Sequence, residues 1–252
     1  MIQEVTDKNI LISYLDSLSE FEDANEVATS LLDGEKSYVY GFWKDNSLVG
    51  LFGGDAYDHY ISIDLLFGTA KQRLEEVILF LKSKYSGSSL EYLLYNNEEN
   101  IKSILNKLHA DIEISHHAME WNPFHKTMNI SSNSICICKY NEMYSKLFKK
   151  LTPEKELNLE MVYLALKGKK PIGYIEVSIV EDEIYIEQLK TLPKYISKGV
   201  KELLVKEIIK QFQEYQIVVL VSPYEEDEIS FYRSIGFEIN DDRTMLIATI
   251  NL

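Results

Sequence analysis

The stretch VYLALKGKKPIGYI, Val162–Ile175, decides how this chain is read, because its plan occurs twice. VYGFWKDNSLVGLF, Val39–Phe52, has the same order 123 residues earlier: an apolar run, a polar turn, then Val49-Gly50 where the later copy has Ile172-Gly173. A duplication found first constrains every assignment around it. Working outward, YISIDLLF in the first half and YIEQLKTL in the second are strands by their β-branched and aromatic content. Each half then offers an amphipathic helix, marked by Leu74, Val77, Ile78 and Leu81 in one and by Val200, Leu203, Leu204, Ile208 and Phe212 in the other. LEYLLY and IVVLV follow as strands, and each half ends in a short helix that breaks into a final strand. The shared order is strand, strand, helix, strand, helix, strand. It predicts an α+β (α/β) protein of two similar units, 1–125 and 126–252, each a mixed, mostly antiparallel sheet flanked by helices. The joint is expected at Asn122–Ser134, which is rich in Asn and Ser and holds one of five prolines.

Composition narrows the function. The 252 residues are 46% apolar and 12% aromatic, enough for packed cores. Asp and Glu outnumber Lys and Arg by 40 to 26, a net charge of −14. That balance argues against a nucleic acid partner, whose phosphates are neutralised by Lys and Arg. It agrees with plain solubility or with a cationic small molecule. No run of about twenty apolar residues is present, so no membrane span is expected. The opening MIQEVTDKNILISYLDSL lacks the basic and apolar segments of a signal peptide, and a cytoplasmic protein is expected. The two cysteines, Cys136 and Cys138, fall on one face of a strand. Without a second ligand pair, and with no HExxH around the five histidines, no metal is predicted.

Three segments of the second half carry a family resemblance: IYIEQLKTLP, YISKGVKELL and FYRSIGFEI. With the repeated element order, they make the chain similar to the GNAT superfamily of acyl-CoA-dependent N-acyltransferases, and to its tandem members in particular. The resemblance implies that acetyl-CoA is the donor, that its diphosphate rests on the loop opening the long helix, and that Tyr232 is the general acid beside the sulfur. The family's loop is Q/RxxGxG/A. Here it reads Ile196, Ser197, Lys198, Gly199, Val200 and Lys201, so that only Gly199 matches, with Ile196 and Lys201 replacing a polar and a small residue.

The residues support this in their own terms. A helix start exposes free N–H groups and partial positive charge, which suit a phosphate. Lys194, Lys198 and Lys201 crowd that end of the helix, where the macrodipole disfavours cations. They call for an anion there, or else are solvated and paired with acids such as Glu202. Lys198, Gly199, Val200 and Lys201 are the expected diphosphate residues. By resemblance, backbone groups at Leu189 and Thr191 pair with the pantetheine arm, although an ordinary core strand fits the same sequence. Amine attack on a thioester needs a proton acceptor, and the departing thiolate needs a donor. Glu187 is the expected base, taken to share a strand face with Tyr185 and Leu189, with Glu183 and Glu176 as rivals. Gly236 permits the turn after Tyr232, and Phe237 anchors the next strand.

The first half places Leu105 and His109 where the second has Tyr232 and Gly236, and it is expected to be catalytically silent. The expected activity is acetyl transfer from acetyl-CoA to a small-molecule amine in a ternary complex, by a monomer or homodimer. The alternative is a catalytically impaired coenzyme A-binding or structural protein that keeps the fold.

Overall fold

The computed structural model describes residues 1–18, 23–124, 134–149, 151 and 159–252. Of the expected joint, residues 125–133 lie outside the described residues. Two compact units form: Met1–Ser115 with Met245–Leu252, and His116–Thr244. Among the described residues no helix is long and apolar enough to cross a membrane.

The first unit contains β1 (Ile2–Glu4), α1 (Lys8–Leu18), α2 (Ala24–Ser30), β2 (Tyr38–Lys44), β3 (Ser47–Gly54), β4 (Ala56–Tyr57), β5 (Tyr60–Ile63), β6 (Leu65–Gly68), α3 (Thr69–Gln72), α4 (Leu74–Lys84), β7 (Ser89–Tyr95), α5 (Glu99–Lys107) and the start of β8 (Asp111–Trp121). The second contains the rest of β8, then β9 (Ile135–Lys139), α6 (Ser145–Phe148), β10 (Val162–Lys167), β11 (Lys170–Val180), β12 (Glu183–Thr191), α7 (Val200–Gln211), β13 (Gln216–Val221), α8 (Glu226–Ser234) and β14 (Phe237–Ile239). The last strand, β15 (Met245–Asn251), returns to the first unit. In both units the strands pair antiparallel except for one parallel pair, β5 with β7 and β12 with β13. Apolar helix faces cover the sheets. Leu74, Val77, Ile78 and Leu81 of α4 are buried as their spacing predicts, while α7 buries Val200, Leu204, Val205 and Ile208.

The repeat holds in detail. β2 and β3 carry a bulge between Phe42 and Trp43, with Phe42 opposite Gly50 and Trp43 opposite Leu48. β10 and β11 carry theirs between Ala165 and Leu166, opposite Gly173 and Pro171, each position shifted by the same 123 residues. The extra residue is Val49 or Ile172, and the glycine after it has a steric reason. A Cβ on Gly50 would lie 2.5 Å from the Ala70 nitrogen, and one on Gly173 would lie 2.8 Å from the Lys190 oxygen. The turns differ. Asp45 and Asn46 both take positive φ, whereas in the later turn only Gly168 does. The offset continues into the next strands, because Gly50 pairs with Gly68 and Gly173 with Thr191. Tyr60 therefore corresponds to Glu183, two residues before the alignment of Tyr60 with Tyr185 that the strand motifs suggest.

The units do not divide at 125/126, as the length of the repeat suggests. β8 runs on to pair with β13, Val218 opposite Glu120 and Val221 opposite His117. β15 pairs along its whole length with β7, Met245 opposite Tyr95 and Asn251 opposite Ser89. Alternate residues Leu246, Ala248 and Ile250 are buried in the first unit's core, which gives the strand its place.

Candidate active site

Strand β12 is paired with β13 only over Glu183–Tyr185 and Gln216–Val218. Past that point the two splay, and the β12 edge from Ile186 to Thr191 has no strand beside it among the described residues. A cleft of about 290 Å³ opens between them, lined by Ile186–Lys190, Val219–Val221, Glu225, Glu228 and Tyr232. It adjoins a second space of about 680 Å³, which shares Leu189, Lys190 and Glu228 and reaches Thr191, Ile196 and Lys201. Two parallel strands that part in this way leave backbone donors and acceptors facing a cavity, the arrangement needed for an extended ligand to add as a strand. Leu189 and Thr191 thus line the space that the sequence assigns to the pantetheine arm. The Thr191 Oγ1 is buried without a hydrogen-bond partner.

Tyr232 is 3% exposed and stands between Phe231 and Phe237, with ring centroids 5.0 and 5.2 Å away. Its phenol borders the cleft. Burial, reinforced by Glu228 and Glu225, pushes its pKa well above the usual tyrosine value, so the group stays protonated at neutral pH. Such a phenol can give a proton to a thiolate formed beside it.

The carboxylates sort differently from the sequence reading. Glu187 is exposed, lines the cleft and accepts a 2.6 Å hydrogen bond from the Ser178 hydroxyl. It shares a face with Tyr185, whose partner across the ladder is Ser178, but not with Leu189. Pairing jumps from Val177–Ile186 to Glu176–Gln188, so Glu187 is the extra residue of a bulge, and Leu189 packs with Ile184 and Ile186 instead. Glu183 is engaged elsewhere. Arg243 donates to its Oε2 at 2.7 Å and to Glu120 at 3.0 Å, and the Tyr185 hydroxyl adds 2.9 Å, which holds the Glu183 carboxyl below its ordinary pKa. Glu176 is buried on β11, outside the residues lining the cleft. Sequence reasoning missed Glu225 and Glu228. The signal was present, since Glu228 lies four residues before Tyr232, one helical turn away on the same face. Arg243 had no such signal.

Gly199 takes φ +67° and opens α7, whose first turn has no side-chain cap. A helix start left open in this way suits an anion. Lys198 flanks it. Lys201 has protein partners: its ammonium is paired with Glu228 on α8 and lies 5.3 Å over the Phe231 ring. The reason is local, because three acidic residues crowd the first turn of α8 and draw the nearest cation across the cleft. Val200 is fully buried, so only its backbone is available to a ligand.

The first unit keeps a cleft with a different lining. β5 and β7 pair over Tyr60–Ile63, and beyond them a space of about 450 Å³ is lined mainly by apolar and aromatic residues, with Lys71 and Glu98 among them. Those two form an ion pair at 3.4 Å. Leu105, fully buried, stands where the second unit has Tyr232. The helix that would start the diphosphate loop is broken at Arg73, the C-cap of α3 and N-cap of α4. Cys136 and Cys138 lie on β9, exposed and half-buried. Among the described residues no group of three or more His, Cys, Asp and Glu side chains is placed to hold a metal ion.

Residues 133–237 match the model of the Acetyltransferase (GNAT) family. The fold of the whole chain is similar to that of an acetyltransferase of the GNAT family from Colwellia psychrerythraea, with a TM-score of 0.69 at 10% identity over 99% of both chains. It is also similar to a tandem GNAT protein from the clavulanic acid biosynthesis pathway, with a TM-score of 0.64 at 10% identity over 99% of this chain and 98% of that one. A GCN5-related N-acetyltransferase from Sphaerobacter thermophilus gives a TM-score of 0.57 at 8% identity over 99% and 94%. No curated protein matches the sequence. The chain has a tandem GNAT fold, and its second unit contains the segment that matches the GNAT acetyltransferase family.

Proposed function

We propose that the second unit transfers an acetyl group from acetyl-CoA to the amine of a small molecule, by direct attack in a ternary complex. The observation that carries the reading is the parting of β12 from β13 past Tyr185 and Val218, which opens a cleft onto the Tyr232 phenol and continues toward the uncapped start of α7. In this reading the free edge of β12 at Leu189 and Thr191 holds the pantetheine arm, and the backbone at Gly199, Val200 and Lys201 receives the diphosphate. The Lys201–Glu228 pair must open or shift to admit it.

The chemistry follows from the groups lining the cleft. The amine nitrogen attacks the thioester carbonyl carbon, and its surplus proton passes to Glu187 directly or through a water. As the C–S bond breaks, the Tyr232 hydroxyl gives its proton to the departing sulfur. The phenolate is then reprotonated by way of Glu187 and solvent, so that the products are an amide and free coenzyme A. Exposed Glu187 and Glu225, neither ion-paired to a described residue, suit an acceptor that arrives as a cation.

Acetyl-CoA is expected to raise the melting temperature in proportion to its binding. With an amine panel, thiol release by Tyr232→Phe should fall about 10²-fold with the acetyl-CoA affinity unchanged, the usual size of a general acid's contribution. Equal rates in the two proteins would remove Tyr232 from the chemistry, and no stabilisation by millimolar acetyl-CoA would remove the donor.

A further inference from the structure

Three lysines from two separate elements converge on one ring in the second unit. The ammonium groups of Lys167, at the end of β10, and of Lys194 and Lys198, in the turn Pro193–Lys198, lie 5.7, 5.2 and 5.0 Å from the ring centre of Tyr195. No described carboxylate forms an ion pair with any of them, although acids outnumber bases 40 to 26 in the chain. Tyr195 is about nine-tenths buried. Each cation–π contact is worth at most about 1 kcal/mol at an exposed site, and three like charges gathered on one ring repel each other. In the same unit Lys201 is paired with Glu228 and Arg243 with Glu120 and Glu183, whereas Lys190, Lys210 and Arg233, like the trio, form no ion pair with a described carboxylate. What sets the trio apart is convergence: three ammonium groups within 6 Å of one ring centre make a concentrated positive site that an anion would relieve.

Its position says which anion. Lys198 precedes Gly199, the residue that opens α7, so the trio flanks the helix start to which the proposed function assigns the donor's diphosphate. A diphosphate held by backbone amides does not use these side chains. Coenzyme A carries one more phosphate, on the 3′ position of its ribose, with nearly two negative charges. Resting on the acetyl-CoA reading, we infer that Lys167, Lys194 and Lys198 seat this 3′-phosphate, so that the protein distinguishes coenzyme A thioesters from their 3′-dephospho counterparts. Lys167 belongs to the repeated hairpin, at the position that Lys44 occupies in the first unit.

The test is equilibrium binding of acetyl-CoA and of acetyl-3′-dephospho-CoA to the full chain at low and high salt. The wild-type protein should prefer acetyl-CoA by about tenfold at low salt, the sum of two or three exposed ionic contacts, with the preference shrinking as salt screens them. In the combined variant Lys167→Gln, Lys194→Gln, Lys198→Gln the preference, a ratio that cancels any share of Lys198 in holding the diphosphate common to both donors, should fall below about twofold. The corresponding triple Arg variant should keep it, which separates charge from packing. Equal binding of both donors by the wild type, or a preference that survives in the Gln variant, overturns the inference and leaves the transferase reading intact. Binding of neither donor overturns both.

Discussion

Leu105 and Tyr232 hold one position in two copies of a single plan, three residues before the cap of a short helix, and only one of them can give up a proton. Around them the two units agree closely, in the bulge of the hairpin, the parallel strand pair, and a cleft crossed by a lysine–glutamate pair. They part at the groups that chemistry needs. The second unit offers an uncapped twelve-residue helix and a phenol at the cleft, while the first has a four-residue helix broken at Arg73 and a leucine. A fold that is retained while the groups at its cleft are replaced shows that packing does not demand those groups.

Substitution at this shared position sharpens the contrast most. Leu105→Ala should lower stability by about 2–5 kcal/mol, the range for truncating a fully buried leucine, and leave turnover per folded molecule unchanged. Tyr232→Phe is expected to do the reverse, with little change in melting temperature and the loss of rate given above. Chemical denaturation and initial rates on the same samples check both. A loss of turnover in folded Leu105→Ala would show that the first unit takes part in the reaction.

Next in size is the ion cluster of the second unit. Arg243→Met should destabilise by about 1–2 kcal/mol at neutral pH, since it leaves Glu183 and Glu120 without their cation in partly exposed surroundings. Arg243 holds the Glu183 carboxyl below its ordinary value of 4.5, so the stability from this pair is fully present above that value and disappears as pH falls through the lowered pKa. The denaturation difference between wild type and variant should therefore close in acid. The first unit has its own cluster, in which Lys36 bridges Asp55 and Asp64 at 3.1 and 2.7 Å, and it should be indifferent to Arg243→Met. A difference that stayed constant down to pH 3 would show that the arginine acts through packing.

The smallest effect has the opposite sign. His109 and Gly236 end equivalent helices in the left-handed region, with φ +59° and +101°. In α5 the His109 N–H donates to the Asn106 carbonyl and the Ala110 N–H to that of Leu105, which is the Schellman arrangement that glycine normally closes. His109 is exposed, so His109→Gly should relieve strain without loss of packing and stabilise by about 1 kcal/mol. Gly236→Ala should destabilise by a similar amount. A His109→Gly protein that melts below wild type would mean that the imidazole makes a contact of its own.

How far the sequence leads depends on the range of the interaction. Local patterns were legible: the repeated hairpin, the apolar stripe of α4, the glycine at the start of α7 and the correspondence of Leu105 with Tyr232. Features set by a partner distant in the chain were not. The bulge at Glu187 depends on the pairing with β11, and it takes Leu189 off the face that Tyr185 and Glu187 share. Lys201 shows a helix-start cation, yet its acceptor lies 27 residues away on α8. The Arg243 cluster draws Glu120 from 123 residues earlier, a distance at which composition and spacing carry no information.

The return of β15 to β7 bears on how the chain matures during synthesis. Domains usually close in the order in which they leave the ribosome. Here β7 is exposed early and must wait for residues 245–252, so the first unit finishes only after the second has been made. A nascent chain stalled before Met245 would display an unpaired edge on β7, an exposed strand of the kind that chaperones hold and that other copies can capture.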